Sequence, residues 1–182
     1  MLEDRPEVAD LRRDVEEMEM LLATFLDFAR GEALDDPAPT DPVELVRSLV
    51  ADTLRGGGAV ELVAPEAAEP VMLRPQAVRR CVSNLLGNAL RYGRRARVTL
   101  SLPENALRIT VEDDGPGIPA ARREEAMQPF ARLDAARNQD KGSGVGLGLA
   151  IARDIAQRHG GSLTLADSDA LGGLRVELDL PR

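Results

Sequence analysis

The stretch from Gly142 to His159, GSGVGLGLAIARDIAQRH, constrains the fold more than any other part of the sequence. Gly144, Gly146 and Gly148 remove side chains at alternate positions, and an apolar series follows at roughly helical spacing: Leu147, Leu149, Ala150, Ile151, Ile155 and Ala156. Such a loop tolerates positive φ and lets backbone N–H groups approach a ligand closely. Where it opens a helix, the unbonded first-turn donors and the helix dipole both favour an anion such as phosphate. A flexible loop in front of an ordinary core helix has the same appearance, so the choice rests on the rest of the chain.

The balance of residue types narrows the classes. At 182 residues the chain has room for one ordinary domain with an appendage. Hydrophobic residues make up 43% and charged residues 30%, enough for a soluble domain to bury a core. Aromatic residues are only 2%, so aliphatic side chains must build that core and base stacking is disfavoured. The net charge of −8 argues against nucleic-acid and anionic-membrane surfaces. Lys141 is the only lysine, Cys81 the only cysteine and His159 the only histidine. No internal disulfide is possible, a zinc site is disfavoured, and Cys81 reads as a buried helix residue. With no leader and no apolar run long enough to span a bilayer, the reading is a cytoplasmic chain or the cytoplasmic piece of a larger one.

Residues 7–30 read as one long helix. Val8, Leu11, Val15, Met18, Leu22, Phe25 and Ala29 alternate three and four residues apart, forming a narrow seam with charged residues outside it. The seam suits a partner helix, and the other reading is a helix packed on its own domain. Residues 32–40 carry Pro37 and Pro39 among acids and read as a linker. Asp41, Pro42 and Glu44 then form a helix start. Val60–Val63 and Val71–Leu73 are short strand candidates. The spacing predicts a helix over 75–92 with an apolar stripe, while Asn84, Asn88 and Arg91 share another face. That face is either a binding face or a solvated one.

Arg97–Leu102 and Leu107–Glu112 alternate apolar and polar residues around a turn at Pro103–Asn105. The second strand runs into Asp113, Asp114, Gly115, Pro116 and Gly117. A carboxylate there either accepts a hydrogen bond from a ligand amine or merely begins an acidic turn. A short helix over 120–127 is followed by Pro129 and Phe130, and 133–143 reads as a polar, mobile loop. Ser162–Ala166 and Leu174–Leu180 complete the strands, with Gly172 and Gly173 in the turn between them. Antiparallel pairs mixed with helices suit an α+β, two-layer sandwich and not a doubly wound parallel sheet.

Four short segments, taken in order, resemble the ATP-binding catalytic domain of bacterial sensor histidine kinases, within the wider Bergerat-fold (GHKL) ATPases. Asn84 to Asn88 (NLLGN) is similar to the N box, Asp113 to Gly117 (DDGPG) to the first glycine box, Pro129 and Phe130 with Arg132 to the F box, and Gly144 to Leu149 (GVGLGL) to the second glycine box. VEDDGPGI and the segment ending in Arg91, Tyr92 and Gly93 look most like the osmosensor, EnvZ-type branch. Residues 1–31 resemble the second helix of the family's dimerisation and phosphoacceptor domain, 32–40 a linker, and 41–182 the catalytic domain.

The resemblance implies a mixed sheet packed on helices behind a long N-terminal helix, with ATP and Mg²⁺ as ligands. It implies that Asp113 takes the adenine amino group and that Gly115, Gly117 and Ile118 line the base. Asn88 is implied to bind Mg²⁺ through its amide oxygen, with Asn84 assisting. Arg91 and Tyr92 are implied to lie near ribose or phosphates. Phe130 and Arg132 would control a lid over 133–143. Gly142, Gly144, Val145, Gly146, Leu147 and Gly148 would cradle the phosphates, with Lys141 or Arg132 as their counter-charge. Asn84, Asn88 and Arg132 are the implied catalytic set. Hydrolysing members of the wider family carry a glutamate where this chain has Asn84. An amide cannot act as a base, so the implied reaction is transfer to a protein histidine, for relay to the aspartate of a response regulator, in a homodimeric membrane-anchored parent protein.

Two positions depart from the pattern. Val145 stands where many members have Ser or Thr, and the phosphoacceptor histidine with its neighbouring acid does not occur in the sequence. The expectation is a segment that begins after that motif, or a divergent member without it. A nucleotide-binding interaction module or an anti-sigma-type kinase is the competing reading, and the N-terminal heptads weigh against it. On either reading His159, far along its helix from the glycine loop, is not the acceptor, so the chain alone is expected not to phosphorylate itself.

Overall fold

The computed structural model describes Val15, Met18, Leu22, 36–131 and 146–182. The first helix among these in full is α1, Pro42–Arg55. Asp41 caps it, its Oδ1 accepting the Val43 N–H at 2.9 Å and the Glu44 N–H at 3.2 Å. Pro42 supplies the φ of the first turn, and the chain leaves the helix through Gly56 and Gly57, the latter at φ +86°. At 14 residues α1 is short, not the long N-terminal helix expected. The long helix over 7–30 lies outside the described residues except at Val15, Met18 and Leu22, which are helical and 50%, 67% and 59% exposed.

Residues 38–40 correct the linker reading. Ala38–Thr40 is strand β1, paired antiparallel with β3, Val71–Leu73, in the register Ala38↔Leu73 and Thr40↔Val71. A proline survives in a strand only where no ladder donor is needed, and Pro39 is exposed at the edge of this two-stranded ribbon. The prolines that suggested a linker therefore mark an edge strand.

The main sheet has five strands in the order β2 (Val60–Val63), β4 (Ala96–Ser101), β5 (Ala106–Asp113), β7 (Leu174–Pro181), β6 (Ser162–Asp167). Only the β2–β4 pair is parallel, and the segment between them carries α2, Pro75–Tyr92, as a crossover requires. The remaining pairs are antiparallel, so the sheet is mixed. The period of two sorts its faces. Val98, Leu100, Ile109, Val111, Val176 and Leu178 lie opposite one another and are buried. They pack beneath α1, α2 and α4, Gly148–Arg158, which is the second layer. Thr99, Arg108, Thr110, Glu177 and Asp179 form the other face, with Arg108 bidentate to Asp179 at 2.7 and 2.9 Å. The expected helix over 120–127 is a 3₁₀ turn, Ala120–Arg122, leading into a single helical turn, α3, Arg123–Ala126.

Helices α2 and α4 run antiparallel against each other. The backbone N–H of Arg74, before α2, donates to Nε2 of His159, just past α4, at 3.2 Å. Cys81 Sγ lies 3.8 Å from the Ala152 carbonyl midway, and Asn88 abuts Gly148 at the start of α4. Burial pushes the Cys81 thiol up to about 12, so it is a packing group and not a nucleophile. The same pairing brings the C-terminal end of α2 and the N-terminal end of α4 to one edge of the sheet, beside the end of β5.

Candidate functional site

Asp113 ends β5 with its side chain 5% exposed. Its Oδ1 accepts two backbone N–H groups, from Gly115 at 2.8 Å and Leu174 at 3.2 Å. Its carbonyl accepts the Gly173 N–H at 3.0 Å. Among the described residues no hydrogen bond reaches Oδ2, so one oxygen fixes the group and the other is left to a ligand. Burial raises the carboxyl above its ordinary range, the two N–H bonds oppose that rise, and the Asp114 charge adds to it. Asp114 behaves oppositely. Its Oδ1 accepts the Arg95 and Arg94 N–H groups at 2.9 and 2.6 Å, Arg95 Nε lies 3.2 Å from Oδ2, and it falls to about 2. Adjacent aspartates thus have separate duties: Asp114 ties down the turn from α2 to β4, and Asp113 faces inward.

The glycines around Asp113 are places where backbone crowds backbone. A Cβ at Gly115 would stand 2.9 Å from Asp113 Oδ1 and 3.0 Å from the Tyr92 carbonyl. One at Gly173 would overlap both Asp113 oxygens that face it and lie 2.6 Å from the Gly115 nitrogen. Gly117 takes φ +69°, which turns the chain sharply before Ile118. The Ile118 carbonyl accepts Arg123 Nε at 3.0 Å.

On α2, Asn84, Asn88 and Arg91 share one half-buried face, as the spacing requires. Asn84 Nδ2 is buried and has no hydrogen-bond partner among the described residues, a costly state unless a ligand completes it. Asn88 lies where a Cβ on Gly148 would come within 3.2 Å of its nitrogen and 3.3 Å of its oxygen. Glycine at 148 therefore lets the amide sit against the opening of α4. That helix has no side-chain cap: Leu147 precedes it and cannot bond its first-turn N–H groups. The Arg91 guanidinium lies 5.8 Å from the centre of the Tyr92 ring, at the rim.

Phe130 lies where the chain meets Gly146, just before α4. It is the only non-glycine residue with positive φ among those described, at +64°, and its ring is 58% exposed. A bulky side chain in that conformation costs about 1–3 kcal/mol, and burial of the ring does not offset it. Gly146, at φ +72°, meets this segment: a Cβ there would stand 2.6 Å from the Ala131 carbonyl oxygen. The chain thus leaves at Ala131 and returns at Gly146 next to where it left. Arg132, Lys141, Gly142, Gly144 and Val145, and the lid read over 133–143, lie outside the described residues.

Of the residues read from the sequence, Asn84, Asn88, Arg91, Tyr92, Asp113, Gly115, Gly117, Ile118, Phe130, Gly146, Leu147 and Gly148 are gathered along this edge. Gly173, the Leu174 N–H and Ser168 belong to the same edge and were not anticipated. Gly173 and Leu174 reach Asp113 from about 60 residues downstream, Ser168 bonds its neighbour Glu112, and only a strand pairing across the sheet connects them. His159 stands apart. Its Nε2 accepts the Arg74 N–H, so Nδ1 carries the proton and donates to the Ile155 carbonyl at 2.8 Å. Nε2 ties the end of α4 to the start of α2, and Nδ1 bonds back onto the last turn of α4 itself.

The sequence matches the family described as histidine kinase-, DNA gyrase B-, and HSP90-like ATPase over residues 74–182. It is 40% identical to the sensor histidine kinase GtrS of Pseudomonas aeruginosa over 182 residues, all of this chain and 37% of GtrS. It is 38% identical to the sensor histidine kinase CpxA of Escherichia coli over 126 residues, 69% of this chain and 27% of CpxA. The chain thus spans well under half the length of these relatives. Its fold superposes with a TM-score of 0.64 on the ATP-binding domain of PrrB from Mycobacterium tuberculosis, 26% identical, covering 81% of this chain and 98% of that one.

Proposed function

Because the chain belongs to the histidine kinase-, DNA gyrase B- and HSP90-like ATPases, as the catalytic ATPase domain of a two-component sensor histidine kinase, we propose that it binds Mg-ATP along the edge between α2, β5 and α4. There it presents the γ-phosphate to a histidine of a dimerisation domain. The observation that carries the proposal is the half-used carboxylate of Asp113: two backbone donors fix Oδ1, and Oδ2 is free to accept the adenine amino group. The uncapped N–H groups opening α4 suit a phosphate. The buried, unbonded Asn84 amide and the Asn88 amide beside Gly148 suit a shell of phosphate oxygens and a hard cation. Asn88 would hold Mg²⁺ through its oxygen with Asn84 beside it, and the ion would supply charge neutralisation on the phosphates. Arg91 and Tyr92 are assigned to the ribose and phosphate side, Arg132 and Lys141 to phosphate counter-charge, and Phe130 to the hinge of the lid.

In the transfer itself an imidazole nitrogen bonds to the γ-phosphorus as the bond to the β–γ bridging oxygen breaks and ADP leaves. With Asn84 in place of a glutamate, no carboxylate stands ready there to activate water, so the phosphoryl group is kept for the protein acceptor. We assign residues 1–31 to the second helix of the dimerisation domain and the catalytic fold to the residues from Ala38 on, working on the cytoplasmic side and passing phosphate to a response-regulator aspartate. No helix among the described residues is long and apolar enough to cross a membrane.

Asp113→Asn tests the site. Asn must keep its oxygen on the two backbone donors, so its NH₂ replaces Oδ2 and opposes the adenine amine, donor against donor. Titration calorimetry with Mg-ATP is expected to show at least a hundredfold weaker binding, on the order of 3 kcal/mol. Unchanged affinity would remove Asp113 from the base site.

A further inference from the structure

What aims the Asp113 carboxylate is the turn between β6 and β7, and one serine holds that turn. Ser168 is 3% exposed. Its N–H donates to the Gly173 carbonyl at 2.8 Å, its carbonyl accepts the Gly172 N–H at 2.9 Å, and its Oγ accepts the Leu171 N–H at 2.9 Å. These three bonds close residues 168–173 into one unit. A fourth ties the unit to β5: Ser168 Oγ–H donates to Glu112 Oε1 at 2.8 Å, and Glu112 is itself 9% exposed. A buried hydroxyl on a carboxylate is a charge-assisted bond, stronger than a neutral pair. Glu112 immediately precedes Asp113, and the turn's exit delivers the Gly173 and Leu174 N–H groups to Asp113.

A second tie reaches the turn from outside. Arg123 bonds Asp167 at 2.6 Å through Nη2 and the Ile118 carbonyl at 3.0 Å through Nε, linking the residue before Ser168 to the loop after Gly117. The Ser168–Glu112 bond is the side-chain tie of the turn to β5, beside the backbone bond from the Gly173 N–H to the Asp113 carbonyl. A shift there moves the Leu174 N–H off Oδ1 and lets the carboxylate rotate.

We propose that Ser168, anchored on Glu112, is a positioning residue for nucleotide recognition: it holds the Asp113 carboxylate in the one orientation that accepts an exocyclic amine. This rests on the reading of Asp113 as the adenine contact. Ser168 touches no nucleotide, so its effect appears in discrimination between bases and not in phosphate affinity.

The experiment compares ATP with purine riboside triphosphate, which lacks the 6-amino group, by calorimetry on the full chain, with melting curves alongside. Ser168→Ala is expected to weaken ATP about fivefold to tenfold and to leave the amine-free analogue unchanged. Ser168→Thr, which keeps the hydroxyl, is expected to restore the parent ratio. Equal weakening of both nucleotides would show a merely structural serine and overturn the proposal. So would an unchanged ATP-to-analogue ratio in Ser168→Ala while Asp113→Asn abolishes it. If Asp113→Asn itself leaves the ratio unchanged, the adenine reading fails and the proposal with it. Should Ser168→Ala not fold, Glu112→Gln carries the test: it keeps the acceptor without the charge, and a smaller loss of discrimination supports the proposal where none overturns it.

Discussion

At the scale of single residues, the site depends on which atoms are already engaged. Asp113 spends one oxygen on the fold and keeps one for a ligand. This fixes the sign of its pH dependence. Two N–H donors occupy Oδ1, so a proton taken up on acidification goes to Oδ2, where it turns the needed acceptor into a donor. The folded-state carboxyl lies above its ordinary range, so the ionised form is lost at a higher pH than for an ordinary aspartate, near 3.9. ATP affinity is therefore expected to fall on acidification starting above about pH 4. Asp114 stays charged to about 2 and keeps its turn tied down across that range. Fluorescence titration of nucleotide between pH 4 and 7 checks this. A flat profile down to pH 4 would show that Asp113 does not titrate where the amine binds.

At the scale of elements, the chain shows what sequence pattern can and cannot carry. Helix α2 spans Pro75–Tyr92 as expected because proline starts it, Gly93 ends it and the apolar stripe is continuous. The β4 and β5 alternation was legible for the same local reason. β1 was not, because Pro37 before it and Pro39 within it outweighed a three-residue strand that exists only by pairing with β3. In the site, three glycine- or asparagine-bearing segments and the segment around Phe130 were legible as short motifs in order. The clamp from Ser168, Gly173 and Leu174 was not, since nothing in local spacing says that β7 will lie beside β5. The contact between Gly146 and Ala131 is likewise tertiary, and it gives a prediction. Gly146→Ala puts a Cβ at φ +72° and within 2.6 Å of the Ala131 carbonyl. It should cost about 1–2 kcal/mol in backbone strain alone and weaken nucleotide binding by spreading the two ends of the 132–145 segment. Thermal denaturation together with ATP titration checks it. Parent-like values in both would mean that the ends need not meet.

At the scale of the whole molecule, the antiparallel pairing of α2 and α4 separates two functions. One end gathers the proposed nucleotide site. The other is locked by His159, whose two ring nitrogens are both bonded. The ring lies past the last turn of an 11-residue helix, roughly 16 Å along the axis from the glycines at its start. It cannot reach a phosphate held there within the same chain. Upstream, the three described seam residues, Val15, Met18 and Leu22, are exposed, which suits residues that complete themselves against another helix. On the proposed function, this unit loads ATP and delivers phosphate to a histidine outside itself. The direct test is incubation with γ-labelled Mg-ATP, alone and with a separate dimerisation helix pair bearing its own histidine. Acid-labile label is predicted on the added helix pair and none on this chain. Acid-labile label on this chain alone, abolished by His159→Gln, would contradict it.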